Sequence, residues 1–249
     1  MPYCVQPWHG ARNFSDLGGF PTRDGGRTAF GRVWRSAARE WMTGSGWYQA
    51  RLEGLARVID LRNDMERRRL SYHPVVDESA WWVIDIVSAP TEDPHDPEFL
   101  AECGPWLDHP RSWRPNAERY PAKFATVFNA IADTPGPLLI HCAGGRDRTG
   151  MIVSMLLALN GVQPDAIADA YERGFRGAAD EVHEGGLAFD PASGEWRAAD
   201  EEWEDIDEAI AERKLALRQW LREVDIRSYL RGAGVDDDRL KRLESLLRE

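Results

Sequence analysis

The stretch His141-Cys142-Ala143-Gly144-Gly145-Arg146-Asp147-Arg148-Thr149-Gly150 constrains this chain more than any other. It lies between two apolar runs, Leu138-Leu139-Ile140 before it and Met151 to Leu159 after it. That order predicts strand, tight loop, helix. Five residues separate Cys142 from Arg148. A loop of that length can turn its backbone N–H groups toward one point, and the positive end of the following helix faces the same point. Such a cradle fits a dianion, for instance a phosphate monoester. Cys142 at its base would face the phosphorus.

The chemistry needs these residue types. N–H donors, a helix N-terminus and a nearby guanidinium all favour the thiolate of Cys142 over the thiol. A thiolate can attack phosphorus and form a phosphocysteine that water hydrolyses. Arg148 offers a planar fork for two phosphate oxygens and for transition-state charge. Ala143, Gly144, Gly145, Arg146 and Thr149 complete the expected phosphate-binding set, and Gly144, Gly145 and Gly150 permit close backbone approach. The Thr149 hydroxyl is expected to hydrogen-bond the Cys142 sulfur as it leaves. Asp147 is the candidate acid for the leaving oxygen. Its flanking arginines favour the carboxylate, and a bound dianion favours the protonated form. A lone cysteine at a strand end is usually a buried structural residue. A core has no use for two arginines, an aspartate and three glycines in one turn.

The pattern His-Cys-x-x-Gly-x-x-Arg-Thr-Gly resembles the signature of cysteine-dependent protein tyrosine phosphatases. With Asp147 before Arg148 it is similar to the atypical bacterial tyrosine/lipid phosphatases, whose usual loop reads His-Cys-x-Ala-Gly-Lys-Asp-Arg-Thr-Gly. Gly144 here replaces the usual Ala, and Arg146 the usual Lys. Three further segments resemble that family: Arg12-Asn13-Phe14-Ser15-Asp16-Leu17-Gly18-Gly19, Gly31-Arg32-Val33-Trp34-Arg35-Ser36, and Val58-Ile59-Asp60-Leu61-Arg62 with Glu66. Tyr229-Leu230 and the closing helix extend the resemblance to about Leu247. The resemblance implies an α/β fold and a phosphoric monoester hydrolase. Its substrate would be a phosphorylated protein (phosphotyrosine, with reach to phosphoserine or phosphothreonine) or a phosphoinositide.

The rest of the chain sets bounds. At 249 residues with 43% apolar residues it can build one large core, and a single domain over 1–249 is expected. No run approaches the roughly 18 to 20 apolar residues of a membrane span. The first residues lack the basic-then-apolar order of a signal peptide. Three cysteines, one of them the expected nucleophile, predict no disulfide framework and a reducing cytoplasm. A net charge of −11 argues against nucleic acid or an anionic membrane as partner. His73, His95 and His109 are too scattered for a metal site, and no cofactor is implied.

Strands alternating with helices predict an α/β fold with a mostly parallel central sheet and a helical C-terminal part. Phe14 to Phe20 and Thr28 to Arg35, separated by Asp24-Gly25-Gly26, read as a hairpin or a pair of edge strands. Ala56 to Leu61 and Trp81 to Ile86 read as buried strands, and Asp64 to Leu70 as a charged helix. Tyr120 to Ala132 carries apolar residues at helical spacing, and Pro164 opens a helix through Tyr171. Pro90 to Pro115 reads as a long functional loop. The acidic, Trp-containing stretch 176–205 reads as an insertion or lid, or equally as a surface loop. Glu204 to Glu223 is amphipathic.

Asp60 and Asp85, both read as strand ends, are alternatives to Asp147 as the acid, or else simple turn residues. Arg62 and Glu66 are expected to pair and brace the site. Two other functions compete: a catalytically dead phosphobinding module, which has no need of the thiol, and a cysteine enzyme such as a sulfurtransferase, which has no need of Arg-Thr-Gly or of Asp147.

Overall fold

A computed structural model of the protein describes residues 7–67, 71, 73–76, 84–179, 187–190, 192–198 and 205–248. At its centre are β1 (Ser15–Asp16), β2 (Val33–Ser36), β3 (Arg57–Asp60), β4 (Asp85–Ser88) and β5 (Leu138–His141), in the spatial order β1-β2-β5-β3-β4. β2, β5, β3 and β4 run parallel, and β1 closes one edge antiparallel. This is the mostly parallel α/β sheet that the sequence predicts.

The central strands are short apolar runs because both their faces are covered. Successive side chains alternate between two cores. Val33, Ile59, Leu138 and Ile140 face one, and Trp34, Val58 and Leu139 face the other. The second core is small and lies under α1 (Gly44–Leu52), with Trp8, Met42 and Trp47. The larger core lies under α3 (Trp113–Arg119), α4 (Pro121–Ala132), α5 (Asp147–Leu159), α6 (Pro164–Ala179), α7 (Ile206–Glu223), α8 (Ile226–Ala233) and α9 (Asp237–Ser245), while α2 (Pro97–Cys103) buries Phe99 and Cys103 outside it. α5 is buried on all sides from Thr149 to Leu157, which explains why its sequence is apolar without a polar face. Asp96, Asp205, Asp225 and Asp236 cap α2, α7, α8 and α9 by accepting first-turn N–H groups. Among the described residues no helix is long and apolar enough to cross a membrane.

Several expectations change. Pro90 to Pro115 holds α2, two short 3-10 turns and the start of α3. Asp96 followed by Pro97 is an N-cap and first-turn signal inside the supposed loop. β4 is half-exposed at the sheet edge, not buried on both faces, and Trp81 to Val83 lie outside the described residues. The helix opened by Pro164 continues past Tyr171 to Ala179. The helix expected over Asp64 to Leu70 is a 3-10 turn over Asp64–Glu66, and residues 68–70 lie outside the described residues. Much of 176–205 is also outside them. Within it, β6 (Leu187–Asp190) and β7 (Glu195–Ala198) pair as an antiparallel hairpin, with β6 against Gly104–Trp106. Trp203 and the Trp196 side chain are outside the description. Trp106 is exposed, whereas Trp113 is buried between Tyr171 and Trp220.

Candidate active site

The four parallel strands end side by side. Ser36, His141, Asp60 and Ser88 are register partners across β2, β5, β3 and β4. The chain leaving each strand therefore enters one rim at the carboxyl end of the sheet, where open α/β folds place their sites. Cys142, 3% exposed, follows β5 directly, and the loop after it runs into α5.

The loop's carbonyls are tied outward one after another. Cys142 O accepts from Nδ1 of buried His141 at 3.0 Å. Ala143 O accepts from Ala38 N–H at 2.8 Å. Gly144 O accepts from Asn13 Nδ2 at 2.8 Å, and Gly145 O from Arg35 Nη2 at 2.5 Å. Arg146 O accepts from Gly150 N–H at 2.7 Å, the first helical bond of α5. With the carbonyls held from outside, N–H groups are left for the inside of the loop. Those of Ala143, Gly144, Gly145, Arg148 and Thr149 have no backbone acceptor among the described residues. Unpaired N–H groups at a helix start are what an anion requires.

Gly145 makes this path possible. Its φ is +69°, and an added Cβ would lie 2.4 Å from Ser36 O. Gly145→Ala is expected to cost about 1–3 kcal/mol in stability through the strained backbone, with a larger loss of activity from the displaced loop. Thermal melting together with turnover checks this. A variant with wild-type melting and turnover would mean that the loop tolerates another path.

Arg148 is held end-on by Glu66, with Nη1 to Oε2 at 2.5 Å and Nη2 to Oε1 at 2.6 Å. Glu92 Oε1 lies 3.5 Å from the same Nη1. The end-on pair uses two of five guanidinium hydrogens and leaves the Nε side of the fork for a ligand. Burial pushes the Glu66 carboxyl up, but Arg148 outweighs it and holds Glu66 below the usual carboxylate range. Glu92 differs. Burial pushes its carboxyl up, and Arg148 only partly offsets this. It accepts from Thr91 Oγ1 at 3.0 Å and Asn116 Nδ2 at 3.2 Å.

Asp147 is the first residue of α5, and its two oxygens accept from Arg146 Nε at 3.1 and 2.9 Å. Arg146 also faces Asp108 at 3.7 Å, and Asp108 accepts from Arg213 of α7 at 2.7 Å. Arg146 and Arg213 both lie over the Phe175 ring. The broad fork that replaces the usual Lys thus links loop, helix and the segment before α3. Thr149 is fully buried, and its Oγ1 has no hydrogen-bond partner; the bond to Cys142 expected from the sequence is not made in this structure.

The alternative acids separate. Asp60 is buried at the end of β3, with Arg62 Nε at 2.9 Å, Arg62 Nη2 at 2.7 Å and His141 Nε2 at 3.6 Å from its carboxylate. Burial pushes Asp60 up, but the His141 ring and the Arg62 fork outweigh it, so its carboxyl stays well below the usual range. A carboxylate so held has no proton to give. Asp85 is at the wrong end. It is the register partner of Arg57 at the start of β3, pairs with it at 2.8 Å, and sits about 10 Å, three strand residues, from the rim. Arg62 and Glu66 do not pair. Arg62 turns back to Asp60 and across to Glu40 at 2.9 Å, while Glu66 takes Arg148.

Asn13, Arg35, Glu92, Asp108 and Arg213 are the site's neighbours that sequence reasoning missed. The Asn-Phe and Arg-Ser segments around Asn13 and Arg35 carry the family resemblance but give no contact by themselves.

A comparison with family models matches residues 6–249 to one described as the tyrosine phosphatase family. A comparison with curated proteins finds no significant match. Among solved structures, TpbA of P. aeruginosa is a distant likeness: 14% sequence identity, a TM-score of 0.40, and coverage of 82% of this chain and 86% of that one.

Proposed function

The chain belongs to the tyrosine phosphatase family, and from that premise we propose that it hydrolyses phosphate monoesters through a phosphocysteine on Cys142. Phosphotyrosine is the leading substrate class, with phosphoserine, phosphothreonine and phosphoinositide headgroups open to the same chemistry. The observation that supports this most is the cradle: the five successive carbonyls of residues 142–146 each take a donor, in the loop that leads from the buried thiol of Cys142 into the start of α5.

In the proposed reaction the Cys142 thiolate attacks phosphorus as the P–O ester bond breaks. Asp147 gives its proton to the leaving oxygen. Arg148 and the loop N–H groups hold the three equatorial oxygens. Water then attacks the phosphocysteine, Asp147 takes back a proton, and the S–P bond breaks to return the thiolate and release phosphate. The arriving dianion competes with Asp147 for Arg146, which frees the carboxyl group to carry a proton.

Release of phosphate from p-nitrophenyl phosphate and from a phosphotyrosine peptide tests the reading, with a phosphoinositide as the comparison substrate. Binding of these ligands without release would overturn it in favour of a phosphobinding module. The same assay checks the acid. Asp147→Asn is expected to lose about 10²-fold on phosphotyrosine, whose leaving group needs a proton. It should lose much less on p-nitrophenyl phosphate, whose phenol leaves unaided. Equal losses on both would reduce Asp147 to shaping the loop, and Glu92, the buried carboxyl group beside Arg148, would be tested next.

A further inference from the structure

Arg146 grips Asp147 with half a fork. Its single Nε hydrogen is shared between the two Asp147 oxygens, at 3.1 and 2.9 Å. Nη2, the second arm of a side-on fork, faces Asp108 Oδ2 at 3.7 Å, an ion-pair distance beyond hydrogen bonding. Elsewhere in the protein both arms close on one carboxylate. Arg62 gives Nε and Nη2 to Asp60 at 2.9 and 2.7 Å, and Arg119 gives the same two atoms to Asp96 at 2.6 and 2.8 Å. The Arg119 fork is the main reason why Asp96 stays well below the usual carboxylate range. Burial pushes Asp60 up, and the His141 ring and the Arg62 fork outweigh it. A carboxylate closed in by a full fork keeps no proton.

We propose that Asp108 is a positioning residue: it draws the second arm of Arg146 away from Asp147, so that one shared hydrogen aims the Asp147 carboxyl group and leaves it able to carry the proton for the leaving oxygen. The proposal rests on the reading of Asp147 as the acid. The Asp108 side chain is 32% exposed, so its pull on Arg146 is moderate, and the effect of losing it is set accordingly below.

The fold fixes Asp108 in that place. Its neighbour His109 is fully buried and pins the turn: His109 N–H donates to Trp106 O at 2.9 Å, Arg111 N–H to His109 Nδ1 at 3.0 Å, and Ser112 Oγ to His109 O at 2.9 Å. His109 adds no charge, because burial and Arg213 pull it down to about 4. Arg213, from α7, donates from Nη2 to the same Asp108 Oδ2 at 2.7 Å. Phe175 of α6 is buried under both guanidiniums, its ring centre 5.0 Å from Arg146 Cζ and 5.2 Å from Arg213 Cζ. Three elements far apart in sequence thus converge on the far side of Arg146.

The test is the ratio of kcat/KM on a phosphotyrosine peptide to kcat/KM on p-nitrophenyl phosphate. In Asp108→Ala the second arm of Arg146 is expected to close on Asp147, as Arg62 closes on Asp60. Turnover of the peptide should fall about tenfold, the effect of one unit of added carboxylate preference. Turnover of p-nitrophenyl phosphate, whose phenol leaves unaided, should fall by less than about threefold. An Arg146→Lys background separates this role from a merely structural one. One ammonium has no second arm to close, so in that background Asp108→Ala should leave the ratio where Arg146→Lys alone puts it. Folding is checked by melting, and if Asp108→Ala does not fold, Asp108→Asn, which keeps the volume and loses the charge, decides by the same ratio. A wild-type ratio in the folded variant, or the same change of ratio in the Arg146→Lys background, would overturn the proposal. An Asp147→Asn variant that loses equally on both substrates would instead overturn the acid reading beneath it.

Discussion

Cys142→Ser is expected to lose turnover by about 10⁵- to 10⁶-fold, the scale seen when a nucleophile is removed from an enzyme, while still binding a phosphotyrosine peptide. The two effects separate because the groups that do each job are separate. In the proposed reaction binding would use the loop N–H groups and Arg148, and the carbonyls that orient the loop are held by Ala38, Asn13 and Arg35. None of those bonds involves the Cys142 side chain. A serine hydroxyl is a far poorer nucleophile at neutral pH, so substrate should bind and stay. Calorimetry with the peptide measures the first effect, and phosphate release the second. More than a trace of turnover in the serine variant would remove Cys142 from the nucleophile's role.

Arg148→Lys is expected to lower kcat on the order of 10²- to 10³-fold, the range for removing a transition-state donor, with a much smaller change in KM. In the proposed reaction the guanidinium does two things at once. Its end-on edge is fixed by Glu66, and its other donors remain for the phosphoryl oxygens. One ammonium cannot hold a bidentate carboxylate and also span two oxygens. The lysine variant would also leave Glu66, a buried carboxylate, poorly paired, so a lowered melting temperature should accompany the lost rate. Near-normal kcat would place the transition-state contact elsewhere.

The loop was legible in the sequence because its constraints are local. A strand, Cys-x5-Arg, glycines and a helix follow one another within about a dozen residues. What was not legible is what holds the loop. Asn13 and Arg35 lie more than 100 positions away in sequence and reach Gly144 and Gly145 through the sheet, Arg35 because β2 is laid beside β5 in register and Asn13 because it just precedes β1, which pairs with β2. Asp60 and Asp85 look alike as polar residues next to apolar runs. The pairing of β3 with β4 separates them, putting Asp60 beside Ser88 at the rim and Asp85 beside Arg57 at the far end. The misread pair of Arg62 and Glu66 has a similar cause. An i,i+4 pairing presumes an α-helix, but Asn63 caps a 3-10 turn with Glu66, and the turn sends Glu66 to Arg148 instead. Glu92 follows the edge strand in a segment read as loop, and only its burial beside Arg148 marks it.

Rapid mixing with p-nitrophenyl phosphate, quenching in denaturant during turnover and mapping the adduct by mass spectrometry decides whether Cys142 carries the phosphoryl group. A phosphoryl group is expected on the peptide carrying Cys142, accumulating before steady phosphate release and absent from Cys142→Ser. Turnover with no adduct on Cys142, or with the phosphoryl group on another residue, would contradict it.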